Sequence, residues 1–530
     1  MEEDASKPPT KPAVVITGAA RGIGREFARI AGAEGRCVVL VDRMADPLTQ
    51  VSAELSASGV ANHPVTLDLS NPEAGALLEG ALRDRGLHCD VLVNNAGFGL
   101  LGPALNAPLD DHLRMVAVHV SALTELTLRF LPGMLARRSG GVINVSSLAA
   151  YMAGPNSATY SASKAYVRAF SWALAGELAG TGVAVTCVCP GMVATDFWRG
   201  LAVNHAALFN WFPPGSPRSV AEAGCKGFRA RKHTVIPGLL NRLSALCLPI
   251  YSARYLMWLT GRLYDPLRPQ EVASPDSRKP AIVVTGASSG IGREIARIAA
   301  RDGTDVVLVA RSRPELDRLA NEIRARGTAA HVVVADLAEQ ECGQLIERSL
   351  NESGLYCDAL VNNAGMCLAG PAVELGVSEQ LKLLSVNVRA VTELTLRFLP
   401  AMASRRRGGV LNVGSIGAYI AAPNMAVYHA SKAFVASLSN SLSAELAKFG
   451  VRVSCLSPGV VRTPLVDRLR VRRDLLYRLT PKSTPEFTAT AAWRGFRAGR
   501  RLIIPSRADR VLTFLFRMLP RVAIPSIPVE

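Results

Sequence analysis

The chain has 530 residues, 49% of them hydrophobic, 19% charged and 6% aromatic, with 60 Lys and Arg against 43 Asp and Glu for a formal charge of +17. That apolar fraction excludes a disordered chain, and ten cysteines over such a length exclude a disulfide scaffold. The length divides into about two to four domains, and the basic balance favours phosphate-bearing partners without choosing between nucleic acid, lipid headgroup and nucleotide.

Residues 1–11 are acidic, polar and Pro-rich. They predict a flexible tail, and the lack of an apolar stretch argues against a secretory signal. Apolar runs follow at AVVIT (13–17), CVVLV (37–41), VTLDL (65–69), DVLVN (90–94), GVINVS (141–146) and VAVTCV (183–188). Segments of helical period separate them, such as GIGREFARIAGAEG and TELTLRFLPGMLARR. Buried strands alternating with helices predict an α/β fold with a doubly wound parallel sheet.

The pattern is then written a second time. Thr17-Gly-Ala-Ala-Arg-Gly-Ile-Gly24 returns as Thr285-Gly-Ala-Ser-Ser-Gly-Ile-Gly292, an offset of 268 residues. VNNAG at 93–97, TELTLRFLP at 124–132, Tyr160 and Pro190-Gly191 recur at that same offset. The chain is therefore a tandem duplication, with a domain over 12–263, a Pro-rich charged linker over 264–279 and a second domain over 280–530. Cys187 and Cys189 are the one close cysteine pair, and no C-x-x-C occurs, so no metal site is expected and reduced cysteines in a cytoplasmic protein are.

Each half opens with a strand, a glycine-rich turn and a helix. Gly18, Gly22 and Gly24, and Gly286, Gly290 and Gly292, allow a tight turn and close approach of a pyrophosphate to the helix N-terminus. With NNAG, Ser147, Tyr160-Ser-Ala-Ser-Lys164 and Pro190-Gly191 in one half, and NNAG, Ser415, Tyr428-His-Ala-Ser-Lys432 and Pro458-Gly459 in the other, the sequence resembles the short-chain dehydrogenase/reductase family over most of its length. The resemblance implies two Rossmann-type domains, each with a nicotinamide nucleotide site. It implies cofactor contacts from Arg21, Ile23, Asn95, Asp68 and Pro190 in the first half, and from Ser289, Ile291, Asn363, Asp336 and Pro458 in the second.

Hydride transfer at a carbonyl carbon requires a proton donor or acceptor at the oxygen. A lysine four residues after a tyrosine lies on the same helix face and favours the phenolate, as Tyr160 with Lys164 and Tyr428 with Lys432 can do. By the resemblance, Ser147 and Ser415 hydrogen-bond the substrate oxygen. The family's fourth catalytic member, an Asn, is present as Asn387, whereas the first half has His119 in that register. His119 either keeps a relay, since it can donate and accept, or marks a half relaxed toward a structural duty.

The second strand of the first half ends in Asp42, a carboxylate suited to ribose hydroxyls and repelling a 2′-phosphate. The second half ends in Ala310-Arg311, with a guanidinium for that phosphate. NAD(H) is thus expected in the first half, although Arg21 points the other way, and NADP(H) in the second. The aromatic stretch from Asp196 to Pro214 fits a lid over a lipophilic small-molecule substrate or packing against the other half. Its counterpart at 466–479 is strongly basic, suiting acidic groups or a solvated face. The tails at 235–263 and 503–525 mix apolar residues with Arg242, Arg254, Arg510, Arg517 and Arg521, which suits peripheral contact with an anionic membrane or helices packed on the protein better than a span. No nucleic-acid recognition pattern is present. The family commonly dimerises through its long helices, implying an internal pseudo-dimer of the two halves.

Three functions follow from this reading. The halves could act independently on alcohols and ketones, or jointly as a redox epimerase using NAD in one half and NADPH in the other. In the third, the first half is a scaffold or membrane anchor for an active second.

Overall fold

The computed structural model describes residues 10–152, 154–195, 214–247, 278–420, 422–467 and 482–518. The first half carries β1 (Lys11–Thr17), β2 (Cys37–Asp42), β3 (Asn62–Thr66), β4 (Leu87–Asn94), β5 (Gly141–Val145), β6 (Ala184–Val188) and β7 (Thr234–Val235). The second carries β8 (Lys279–Thr285), β9 (Asp305–Ala310), β10 (Ala330–Val334), β11 (Leu355–Asn362), β12 (Gly409–Val413), β13 (Arg452–Leu456) and β14 (Leu502–Ile503). Each set forms one seven-stranded parallel sheet, ordered β3-β2-β1-β4-β5-β6-β7 and β10-β9-β8-β11-β12-β13-β14. Chain order reverses between β1 and β4, and between β8 and β11. Connections leave those strand ends in opposite directions, opening the crevice in which such folds bind ligands.

The strands read as continuous apolar runs because helices cover both faces of the sheet. Ala13, Val15 and Ile16 are fully buried, and Val14 nearly so. One face packs Phe27, Leu48, Val51 and Leu55. The other packs helix Leu123–Arg137 and the long helix Ala158–Glu177, and here the core does not stop at the end of a half. One hydrophobic cluster runs from Leu126, Leu131 and Phe170 into Leu394, Leu399 and Phe434. Helix Ala158–Glu177 packs along helix Ala426–Leu446, its counterpart in the second half.

Several boundaries differ from the sequence reading. The third strand is Asn62–Thr66, earlier than VTLDL, and it contains Pro64. As the outermost strand it pairs only with β2, so the missing N–H of proline breaks no second ladder. Lys11, taken with the tail, begins β1, and Lys279, taken with the linker, begins β8. The two-residue strands β7 and β14 carry no apolar run long enough to see. The tails start as helices Leu239–Cys247 and Arg507–Met518. Both lid segments lie almost wholly outside the described residues, as does nearly all of the linker. No helix of the described residues is long and apolar enough to cross a membrane.

Candidate active site

The glycine-rich turn is fixed by close approach. Gly18 and Gly22 take φ of +66° and +58°, in the left-handed region that side chains disfavour, and a Cβ on Gly24 would lie 2.1 Å from the Gly18 carbonyl oxygen. Asn95 braces the turn from β4: its side-chain amide donates to the carbonyls of Thr17 and Gly18 at 3.0 and 3.2 Å. The Thr17 hydroxyl accepts from the amides of Asn95 and Ala96, both at 3.0 Å. Asn363 and Thr285 repeat these bonds. Thr17 and Thr285 thus have a structural part in the turn that the sequence reading did not assign, although both open the repeated motif.

Beyond the turn, helices Gly22–Ala33 and Gly290–Arg301 begin at Arg21 and Ser289 with no side-chain cap and no acid in the first turn. Their first amides and positive dipole ends are left for an external anion, so the residues present fit a pyrophosphate. Ile23 and Ile291 lie in these first turns. At the end of β2, Asp42 accepts from the amides of Ala20 and Met44, each at 3.1 Å, which holds its carboxylate at the mouth of the turn. Arg21 donates to the Met44 sulfur. In the second half that carboxylate is replaced by Ala310, and the Arg311 side chain is 63% exposed, 3.9 Å from Asp336. Asp68 is paired with Arg114 at 2.6 Å and accepts from Ser70.

The candidate reacting groups gather where β5, β6 and the long helix converge. Asn94 donates to Asn144 at 2.9 Å, and Asn144 to the Ser171 hydroxyl at 2.9 Å, tying β4 and β5 to the helix. Asn362, Asn412 and Ser439 repeat this ladder. The carbonyl of Pro190 accepts from Leu148 at 2.9 Å and that of Pro458 from Ile416 at 3.0 Å, fixing the segments after Ser147 and Ser415. Ser147 lies beside Tyr160, and Ser415 beside Tyr428, where each hydroxyl favours the ionised phenol. The Lys164 ammonium lies 5.7 Å from the Tyr160 ring centre and donates to the Val145 carbonyl at 3.1 Å. Lys432 does the same against Tyr428 and Val413, at 5.8 and 2.9 Å.

Burial acts on the charge of both groups, and it works against the phenolate. Tyr160 is pushed up to about 12 by burial, which outweighs the opposing effect of Ser147. Tyr428 is raised for the same reason, with the neighbouring Cys367 adding to it. Lys164 and Lys432 are lowered to about 8 by burial, with nearby cysteines opposing the shift. For both tyrosines, desolvation is the larger effect. Near neutral pH each site therefore holds a protonated tyrosine beside a mostly protonated lysine.

His119 and Asn387 stand at one place in their halves, each inside a single wide π-turn, Ala117–Ala122 and Ser385–Ala390. Such turns recur at functional sites, and nothing in the residue pattern announced these two. The Asn387 side-chain oxygen accepts from the Met366 amide at 2.8 Å, while its nitrogen donates to the Met366 carbonyl at 2.9 Å and the Ser431 hydroxyl at 3.1 Å. In the first half the His119 Nε2 accepts from the matching amide, that of Phe98, at 3.0 Å. That bond puts the ring proton on Nδ1, which is buried and has no partner among the described residues. Burial, with Lys164 adding to it, holds His119 well below the usual histidine range, hence neutral.

A model of the short chain dehydrogenase family matches residues 12–205 and again 280–474. Oxidoreductase UcpA of Escherichia coli strain K12 is 35% identical over 189 residues, 35% of this chain and 71% of its own. An uncharacterized short-chain type dehydrogenase/reductase, y4vI of Sinorhizobium fredii, is 27% identical over 465 residues, covering 86% of this chain and 82% of its own. Among solved structures, a short-chain dehydrogenase from Sphingobium yanoikuyae in complex with NADPH is 30% identical, covering 47% of this chain and 98% of that one with a TM-score of 0.40.

Because a Cβ at Gly24 or Gly292 collides with the turn itself, Gly24→Ala should abolish the thermal stabilisation that nucleotide gives the first half, and Gly292→Ala that of the second. Differential scanning fluorimetry with NADH and with NADPH reads both. Stabilisation of both halves surviving in the Gly24→Ala protein would show that this turn is not the cradle.

Proposed function

The chain belongs to the short-chain dehydrogenase/reductase family and is an oxidoreductase of CH–OH groups using a nicotinamide nucleotide; from that premise we propose that both halves are working sites interconverting alcohol and ketone on a lipophilic substrate. One observation carries the reading. Ser, Tyr and Lys are brought together in each half, and His119 offers the same acceptor to the same amide as Asn387 does.

The bound nicotinamide supplies or takes the hydride. In the reductive direction Tyr160 and Tyr428, held as neutral phenols, each give the proton to the nascent alkoxide. Ser147 and Ser415 orient the carbonyl oxygen beside that phenol. Lys164 and Lys432 place a positive charge behind it, and each is steadied by a strand carbonyl. Below the lysine value of about 8 this cation is present; as the pH rises through that value it is lost, so reduction weakens.

Two finer assignments belong with this reading. Asp42, fixed at the mouth of the first turn, favours NAD(H) there, while Arg311 without a matching acid favours NADP(H) in the second half. That pairing admits a second reading, a redox epimerase: one half oxidises a carbinol with NAD, and the other reduces the ketone with NADPH from the opposite face. The preserved acceptor of His119 favours a working first half over a scaffold. We further propose that the two halves act as an internal pseudo-dimer, supported by the packing of their long helices.

Peripheral contact with anionic lipid is supported by apolar side chains left on the tail helices. Leu239, Leu240 and Leu246 are 70–71% exposed, and Phe514 is 63% exposed.

Tyr160→Phe and Tyr428→Phe should each lower the turnover of their own half by roughly 100-fold or more, leaving the other half intact. The measurement is NADH and NADPH oxidation with an aryl ketone, and the reductive rate should fall as pH passes about 8. Turnover indifferent to Tyr160→Phe would return the first half to a scaffold. For the lipid contact, deletion of 511–530 should reduce co-sedimentation with phosphatidylserine vesicles. If the intact protein does not sediment with them, the contact does not exist.

A further inference from the structure

The last turn of each long helix carries a carboxylate that crosses into the other half. Glu445 accepts from the amide of Ala104 at 2.8 Å through Oε2, and from that of Asn156 at 2.6 Å through Oε1. Glu177 accepts from Ala372 at 2.7 Å and Asn424 at 2.7 Å, again one amide to each oxygen. The two sets stand in the same 268-residue register as the rest of the duplication.

The backbone held in this way borders the site. Asn156 and Asn424 lie in the left-handed region, with φ of +62° and +65°, a conformation that non-glycine residues avoid without support. Their carbonyls accept from the amides of Gly102 and Gly370, both at 2.8 Å, joining the loop after NNAG to the segment before the long helix. Tyr160 and Tyr428 follow four residues on, in the helix's first turn. In the second half a small cavity is lined by Tyr428 together with Leu368, Gly370, Ala372, Met425 and Ala426. Of these, Ala372 is held by Glu177 of the first half, which also holds Asn424 just before Met425.

Both carboxylates are drawn out of water for this purpose. Burial raises Glu177 and Glu445 to about 7, with the amide bonds opposing the shift. Folding keeps buried acids only where their bonds compensate the desolvation. A carboxylate is also the one side-chain group of this shape that offers an acceptor at both ends, so a glutamine would turn an N–H toward one of the two amides.

We propose that Glu177 and Glu445 are positioning residues acting in trans: each shapes the substrate wall of the tyrosine site in the half to which it does not belong. The proposal deepens the reading of two working sites and rests on it for its catalytic consequence, though not for its structural one.

The test uses the full chain with Glu445→Gln and, separately, Glu177→Gln. Hydrogen–deuterium exchange, which needs no turnover, should rise in 98–106 and 154–160 for Glu445→Gln, and in 366–374 and 422–428 for Glu177→Gln. Glu445→Asp, too short to reach, should give the same crossed pattern as Glu445→Gln. With an aryl ketone as probe, Glu445→Gln in a Tyr428→Phe background should raise the KM of the first site about tenfold, the scale of a lost charge-assisted hydrogen bond, with nucleotide affinity unchanged. Glu177→Gln in a Tyr160→Phe background should do so at the second. Exchange that rises in both halves alike, or only in the substituted half, would overturn the proposal, as would an unchanged KM at a site shown to turn over. Crossed exchange without ketone turnover in the parent protein would count against the reading of two working sites and leave the contact standing.

Discussion

Each half buries its tyrosine-bearing helix on nearly every side, against its own sheet on one face and against the other half's copy of the same helix on the opposite one. The sequence of that helix answers the constraint. It is rich in Ala and Ser, so two backbones can approach closely, and its polar side chains bond inward: Ser171 to Asn144 and Val167, Ser439 to Asn412 and Val435. Burial also explains the electrostatics. Lys164 and Lys432 lose part of their hold on the proton while Tyr160 and Tyr428 gain, so both phenols stay protonated near neutral pH.

The same burial makes the duplication more than two enzymes on a string. Glu177 and Glu445 sit where the two helices run past each other, and each reaches backbone that only the other half supplies. Fusion fixes the two copies in one chain, so this contact forms without depending on concentration. It also allows the two sites to diverge while their frame stays common. Asp42 against Ala310, and His119 against Asn387, are differences laid on a frame whose glycine-turn brace, asparagine ladder and crossed carboxylates are repeated.

Much of this was legible in the residues. Apolar runs bounded by glycine turns gave the parallel sheets, and the repeated motifs placed Ser147, Tyr160 and Lys164 with their counterparts. What escaped has a physical reason in each case. The third strand was displaced because it is an edge, where Pro64 is tolerated and hydrophobicity is no guide. The π-turns at His119 and Asn387 arise from packing, since AVHVSA and SVNVRA read as ordinary helix. The trans contacts join residues 195–341 positions apart through backbone amides, which have no signature in a side-chain pattern. The desolvation of the tyrosine and lysine was not legible, because spacing reports a neighbouring lysine but not the burial of both groups.

The central claim is that one chain holds two working nucleotide sites of opposite preference. Calorimetric titration of the intact protein with NADPH and NADH tests it most directly. The account predicts two nucleotides bound per chain, one site answering to each. Saturation at a single NADPH with no heat from NADH would contradict it, and would leave the first half as a frame around the second.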